Sequence, residues 1–270
     1  MVTCQYVMSI LEELAPKKLA EEWDNPGLLV GSPQQEVKKV LVCLDVTPRV
    51  VRKAVTLHAD MIVAHHPLIF KPVKKVRTDL PLGNMLETLL TNKIAVYAAH
   101  TNLDIAKGGV NDVLAHSLGL QHVASFVLMD SEPGASLGRM GALPEPMEID
   151  DFAKMVCASL PAEYVRVVKA GSQKVRKVAI CSGSGSEFID KASFWGADVY
   201  VTGDVRYHEA LHAAEIGIHL IDAGHFPTEY PIVAPLAGYL QEVCKRDDKD
   251  LVILADSDAK DIFTPVMKQS

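Results

Sequence analysis

Three short stretches, HHP at 65–67, HTNLD at 100–104 and GHFPTE at 224–229, each follow an apolar run and put imidazoles and carboxylates at its end. Mixed nitrogen and oxygen donors suit zinc, iron, manganese, cobalt or nickel, whereas an all-oxygen set suits calcium or magnesium. The adjacent histidines followed by proline carry the strongest signal. Side chains alternate along a strand, so both rings enter one site only where the strand ends and bends. His225 and Glu229 have the spacing of a helical i, i+4 pair, but Pro227 between them predicts a turn or a helix start. The candidate metal ligands are therefore His65, His66, Asp104, His225 and Glu229. Five protein ligands exceed the three that a mononuclear catalytic zinc takes beside its water, and two ions sharing a carboxylate bridge would use them economically. Two divalent ions with two carboxylates leave a surplus of positive charge that hydroxide or phosphate could neutralise.

Other polar residues lie close to these in sequence. His100 opens HTNLD as a partner of the ligands or a proton shuttle, and His208 in GDVRYHE is a candidate general acid or base; a structural histidine is the alternative for each. Asp45 and Asp204 could orient ligands. The GSGSE segment at 183–187 lacks a phosphate-binding lysine and is expected to be a tight turn. Trp23, in the turn signal WDNPG, is expected to be a packing anchor.

The elements that must position these residues alternate between short β-rich runs and helical patterns, which predicts an α/β fold. KKVLVCLD (38–45) reads as a strand, Thr47 and Pro48 as the cap and first position of a helix, and ADMIVAHH as the next strand. GNMLETLLTN and KIAVYAAHTNLD (93–104) form a further helix and strand, and VNDVLAHSLGL a closing helix. The plan returns in RKVAICSG, FIDKASFWG, ADVYVTGD, YHEALHAAEIG and IHLIDAGH. Lys39, Val40, Cys43, Lys53, Ala54, Ala59, Asp60 and Val63 match Lys177, Val178, Cys181, Lys191, Ala192, Ala197, Asp198 and Val201 at one constant shift. Two related α/β lobes follow: 1–125, completed by 235–270, and 126–234. His65 and His66 then fall opposite Gly203 and Asp204. Polar residues gather where strands end in both halves, and the carboxyl ends of strands are where α/β sheets bind ligands.

Composition narrows the function further. The 270 residues are 49% hydrophobic with a net charge of −7, and no basic stripe marks a nucleic-acid binder. Lys74, Lys75 and Arg77 read as an ordinary solvated loop. Five widely spaced cysteines without a C-x-x-C pair point to a reducing compartment. The first 23 residues read as an amphipathic helix instead of a signal peptide, and no apolar run reaches the 18 residues of a membrane span, so a cytoplasmic protein is expected.

EEWDNPGLLVGSP (21–33), DVTPRVV (45–51), AHHPLIF (64–70), YAAHTNLDIAKGGVND (97–112), ADVYVTGDVRYHEA (197–210) and IDAGHFPTEYPIV (221–233) resemble, in order, the blocks of the NGG-interacting-factor-like family, whose bacterial members are commonly labelled GTP cyclohydrolase I type 2 homologues. The resemblance spans nearly the whole chain. It implies two related α/β lobes with a dinuclear metal site in the cleft between them, a toroidal homohexamer, and ligands at His65, His66, Asp104, His225 and Glu229. It also implies the short form of the family, with about 125–175 as a brief connection. The function expected is a dinuclear metal-dependent hydrolase, GTP cyclohydrolase-like, in which metal-activated water attacks a nucleotide or related small molecule. The alternatives are a non-catalytic metal-binding scaffold or regulator, and a phosphatase or phosphodiesterase using the same metals.

Overall fold

The computed structural model describes residues 1–127, 135–171 and 174–266. The chain divides into two compact units, 1–106 with 232–258 and 107–231 with 259–270.

The first unit opens with helix α1 (Cys4–Leu14), followed by strands β1 (Gly27–Val30) and β2 (Lys39–Cys43), helix α2 (Pro48–Leu57), β3 (Met61–Ala64), α3 (Pro81–Thr91), β4 (Ala95–Ala98) and the short α4 (Thr101–Ile105). Helix α2 starts where the sequence predicts: Pro48 takes the first turn, and the Thr47 hydroxyl accepts from the Val50 N–H at 3.3 Å. Parallel strands covered on both faces need continuous apolar runs, and β2, β3 and β4 supply them as VLVC, MIVA and AVYA. Leu41, Ile62 and Val96 pack with Val50, Ala54 and Leu89 in one core.

The second unit contains α5 (Val110–Ser117), β5 (Gln121–Ser125), β6 (Arg139–Met147), α6 (Ile149–Ser159), β7 (Arg166–Val168), β8 (Val175–Ser184), α7 (Ile189–Phe194), β9 (Val199–Gly203), α8 (Tyr207–Glu215), β10 (His219–Asp222) and α9 (His225–Glu229). The chain then returns to the first unit as α10 (Val233–Arg246) and β11 (Val252–Ala255). The first sheet has the order β1-β4-β3-β2-β11 and the second β5-β6-β8-β9-β10-β7.

These orders contain one plan twice. In each unit a helix precedes an antiparallel edge strand, three parallel strands with two crossover helices follow, and a five-residue helix stands after the last strand. The edge strand β1 pairs with β4, and its counterpart β7 with β10. The residue matches have a physical cause. The Asp60 carboxylate accepts from the Lys38 and Lys39 N–H groups at 2.8 and 2.9 Å, and Asp198 accepts from Arg176 and Lys177 at 2.9 and 2.7 Å. Lys39 donates to the Leu57 carbonyl near the end of α2, and Lys177 to the Trp195 carbonyl just past α7. Aspartate and lysine recur because each pair clamps the start of one strand to the end of a crossover helix.

The stretch 125–175 is more than a brief connection. Its described residues hold the nine-residue β6, the eleven-residue α6 and β7, which build the second sheet and its core. Arg139, Glu145 and the prolines Pro144 and Pro146 interrupt its apolar residues and hid the strand from a search for apolar runs. Helix α5 packs on β6 and β8, where buried Asn111 accepts from the Ser182 N–H at 2.9 Å and donates to the Leu137 carbonyl at 2.6 Å.

Candidate metal centre

In the first unit the site grows from the carboxyl ends of β2, β3 and β4. The His65 and His66 N–H groups bond the Cys43 and Leu44 carbonyls at 3.2 and 2.9 Å, extending the ladder just beyond Ala64. The ring centroids are 4.9 Å apart at 45°, so the chain end does bring both imidazoles together. His65 is completely buried and its Nδ1 lies 2.8 Å from the Ala99 carbonyl. A carbonyl only accepts, so Nδ1 carries the proton and Nε2 presents a lone pair. His66 is held the same way, with Nδ1 2.8 Å from Asp45 Oδ1.

Beyond β4 the expected strand through Asp104 stops at Ala98, and Thr101–Ile105 coils into α4. Asn102 explains the change: its side-chain oxygen accepts from the His100 N–H at 2.9 Å while its amide donates to the Ala15 carbonyl at 2.6 Å. The coil lifts Asp104 to 3.6 Å from His65 Nε2. His100 stands at the mouth of this helix with ring centroids 5.3 and 5.6 Å from His65 and His66, and one nitrogen from each of the three imidazoles lies within 4.8 Å of the others. The fully buried Asp24 carboxylate holds His100 Nδ1 at 2.7 Å and accepts from the Thr101 N–H and hydroxyl at 3.0 and 2.5 Å. Burial pushes the Asp24 carboxyl upward, but the His100 and Thr101 hydrogen bonds outweigh it and hold the group at about 2.

In the second unit β10 delivers Gly224 and α9. Pro227 sits in the first turn, where its missing N–H costs nothing, so His225–Glu229 is a helix start carrying a true i, i+4 pair. His225 Nδ1 lies 2.8 Å from Asp204 Oδ2, and its Nε2 lies 3.0 Å from Glu229 Oε2. With Nδ1 facing Asp204, the Nε2 atom and Glu229 Oε2 are close enough for one cation to be held by both. Gly183 makes room for this pair: a Cβ there would come within 2.1 Å of Glu229 Oε1, and its φ of +61° suits glycine. GSGSE is not the tight turn expected: Gly183 and Ser184 end β8, Ser186–Phe188 is a short 3-10 helix, and the Gly183 and Gly185 N–H groups donate to the Thr228 and Thr202 hydroxyls at 3.0 Å each.

The donor chemistry fits divalent metal. Four imidazoles have Nδ1 engaged by oxygen and Nε2 turned elsewhere, the arrangement that orients histidine ligands. Two ligands each about 2.1 Å from a tetrahedral ion lie roughly 3.4 Å apart, close to the His65–Asp104 and His225–Glu229 separations of 3.6 and 3.0 Å. His208 is exposed in the first turn of α8 with its ring 5.4 Å from Tyr207. Trp23 is not a packing anchor: it is 60% exposed, because Asp24 and Asn25 hold its loop through polar bonds. Asp24 and Gly183 escaped the sequence reading. Their cues, an aspartate beside a turn and a glycine after a strand, are shared with countless ordinary loops.

Imidazoles and carboxylates gathered past parallel strands, in a doubled α/β plan, define a mixed α/β protein whose His, Asp and Glu groups could bind a metal. The chain belongs to the Duf34/NIF3 (NGG1p interacting factor 3) family, whose model matches residues 2–259. Proteins named GTP cyclohydrolase 1 type 2 homolog from Clostridium perfringens and Streptomyces coelicolor are 35% and 36% identical over 260 and 263 residues, covering 95% and 96% of this chain and 97% and 92% of their own. The crystal structure of a Bacillus cereus protein related to NIF3 superposes with a TM-score of 0.92 at 31% identity, covering 98% of this chain and 99% of that one. No helix among the described residues is long and apolar enough to cross a membrane.

Proposed function

We propose that this protein is a divalent-metal-dependent hydrolase of a nucleotide or related small molecule, with His65, His66, Asp104, His225 and Glu229 as ligands of a dinuclear centre. The observation that carries the reading is the shared anchoring of Nδ1 in His65, His66 and His225, which leaves Nε2 as the donor in each. Bound divalent ions would supply hydroxide near neutral pH and polarise the group under attack. The chain's own contributions are orientation and proton transfer. Ala99, Asp45 and Asp204 fix the ligand rings, and Asp24 fixes His100 so that its Nε2 can pass a proton to a leaving group. His208 is a second candidate acid or base on its own unit. The relatives' name, GTP cyclohydrolase 1 type 2 homolog, supports GTP as the substrate to try first. We also propose a cytoplasmic homohexamer, to be checked by light scattering.

The test is turnover of GTP and of phosphomonoesters by purified protein, against Asp104→Ala. The expected result is metal-dependent product formation that falls in the variant by more than the roughly 100-fold typical of changes around the ligands. Release of inorganic phosphate with the base intact would move the assignment to a phosphatase. Full activity in Asp104→Ala would overturn the mechanism, and metal binding without any turnover would favour a scaffold or regulator.

A further inference from the structure

Trp23 and Phe70 are 60% and 43% exposed, an expensive way to display two large rings. They meet edge to face with centroids 5.9 Å apart, and each stands edge-on to His100 at 6.2 and 6.1 Å. His100 in turn touches the rings of His65 and His66. The exposed pair is therefore one ring away from the imidazole donors. It is also rigidly mounted: Asp24, next to Trp23, is locked to His100 and Thr101, while the Asn25 amide donates to the carbonyl of Ile69, next to Phe70, at 2.6 Å. Exposed aromatics with a fixed support make a pre-organised stacking surface.

Charge identifies what the surface suits. KPVKKVR (71–77) follows Phe70 directly and is exposed throughout. Arg77 pairs with Asp79, but Lys71, Lys74 and Lys75 take no ion-pair partner among the described residues. Three exposed lysines that follow Phe70 closely in sequence, in a chain of net charge −7, together with two exposed rings are complementary to a planar base carrying phosphates. We propose that Trp23 and Phe70 stack on the purine base of a nucleoside polyphosphate whose phosphates are met by Lys71, Lys74 and Lys75. This subsite rests on the hydrolase reading for its purpose, because it would present the base to the metal ligands.

The chain has two tryptophans, so Trp195→Phe leaves Trp23 as the reporter. Titrating GTP and guanosine into that full-length variant should give saturable quenching with both. Base stacking is worth about 1–3 kcal/mol per ring, so Trp23→Ala or Phe70→Ala should weaken GTP binding by about 5- to 150-fold in calorimetry while metal content stays unchanged. Combined Lys71→Ala, Lys74→Ala and Lys75→Ala should weaken GTP and leave guanosine unaffected. Quenching and binding without any product would sink the hydrolase reading and leave the subsite standing. Metal-dependent GTP turnover with unchanged KM in both ring variants would do the reverse. Ring variants that alter the assembly state in light scattering yet bind GTP normally would assign the rings to a contact between copies and overturn the proposal.

Discussion

The two units set the same α/β plan to different uses at their strand ends. Where β2 and β3 finish in the first unit, the chain places Asp45, His65 and His66. At the matching positions, where β8 and β9 end, the second unit has Gly183, Gly203 and Asp204, a shift of 138 residues throughout. A side chain at Gly183 would strike Glu229, and one at Gly203 would come within 2.6 Å of the Gly183 carbonyl. One copy thus contributes ring donors and the other contributes clearance, with its donors supplied by α9. Both copies fix an imidazole with an aspartate 21 residues earlier, Asp45 for His66 and Asp204 for His225, but across different strand pairs. A repeated scaffold preserves the places where donors can stand, and leaves the choice of donor to local crowding.

The strongest way to break this comparison is to erase the clearance. Gly183→Ala should displace Glu229 and lower metal affinity by about 10- to 100-fold, a loss of the size seen when ligand orientation fails, read by metal titration. Unchanged affinity would show that Gly183 serves only the backbone at the end of β8. The shared clamps should respond alike. Asp60→Ala and Asp198→Ala each remove a carboxylate that holds two backbone N–H groups, and each should cost about 2–3 kcal/mol in denaturant unfolding. A large cost in one unit and none in the other would mean the repeat is formal.

The smallest effect separates Asp24, which has no counterpart in the second unit's site. Its carboxyl sits at about 2, below the usual 3.8. A depressed carboxylate contributes stability that is present above about pH 4 and lost as pH falls through 4 toward 2, here roughly 2 kcal/mol. Asp24→Asn should remove that component of acid unfolding. An unchanged acid-unfolding profile would count against the His100 and Thr101 bonds as its cause.

Buried parallel strands were legible because they must be continuously apolar, and the doubled plan because Lys39 with Asp60 and Lys177 with Asp198 perform one task twice. Thr47 and Pro48 marked their helix through cap chemistry that is local in sequence. The short edge strands β1 and β7 were not legible, since GLLV and RVV are too brief to show a period, and the interior strand β6 was not, since Pro144 and Pro146 interrupt it. At the site, the donor types stood out in HHP, HTNLD and GHFPTE, and Asp45 and Asp204 were suggested as orienting residues. Trp23 misled because tryptophan is usually buried, and its loop is held instead by Asp24 and Asn25. Gly183 was silent because its role lies in an atom it lacks.

The most direct measurement is elemental analysis of protein purified without chelator or affinity metal, beside His65→Ala and Glu229→Ala. The account predicts about two divalent ions per chain, falling in both variants. A folded protein holding no stoichiometric metal, or variants that retain the full complement, would contradict it.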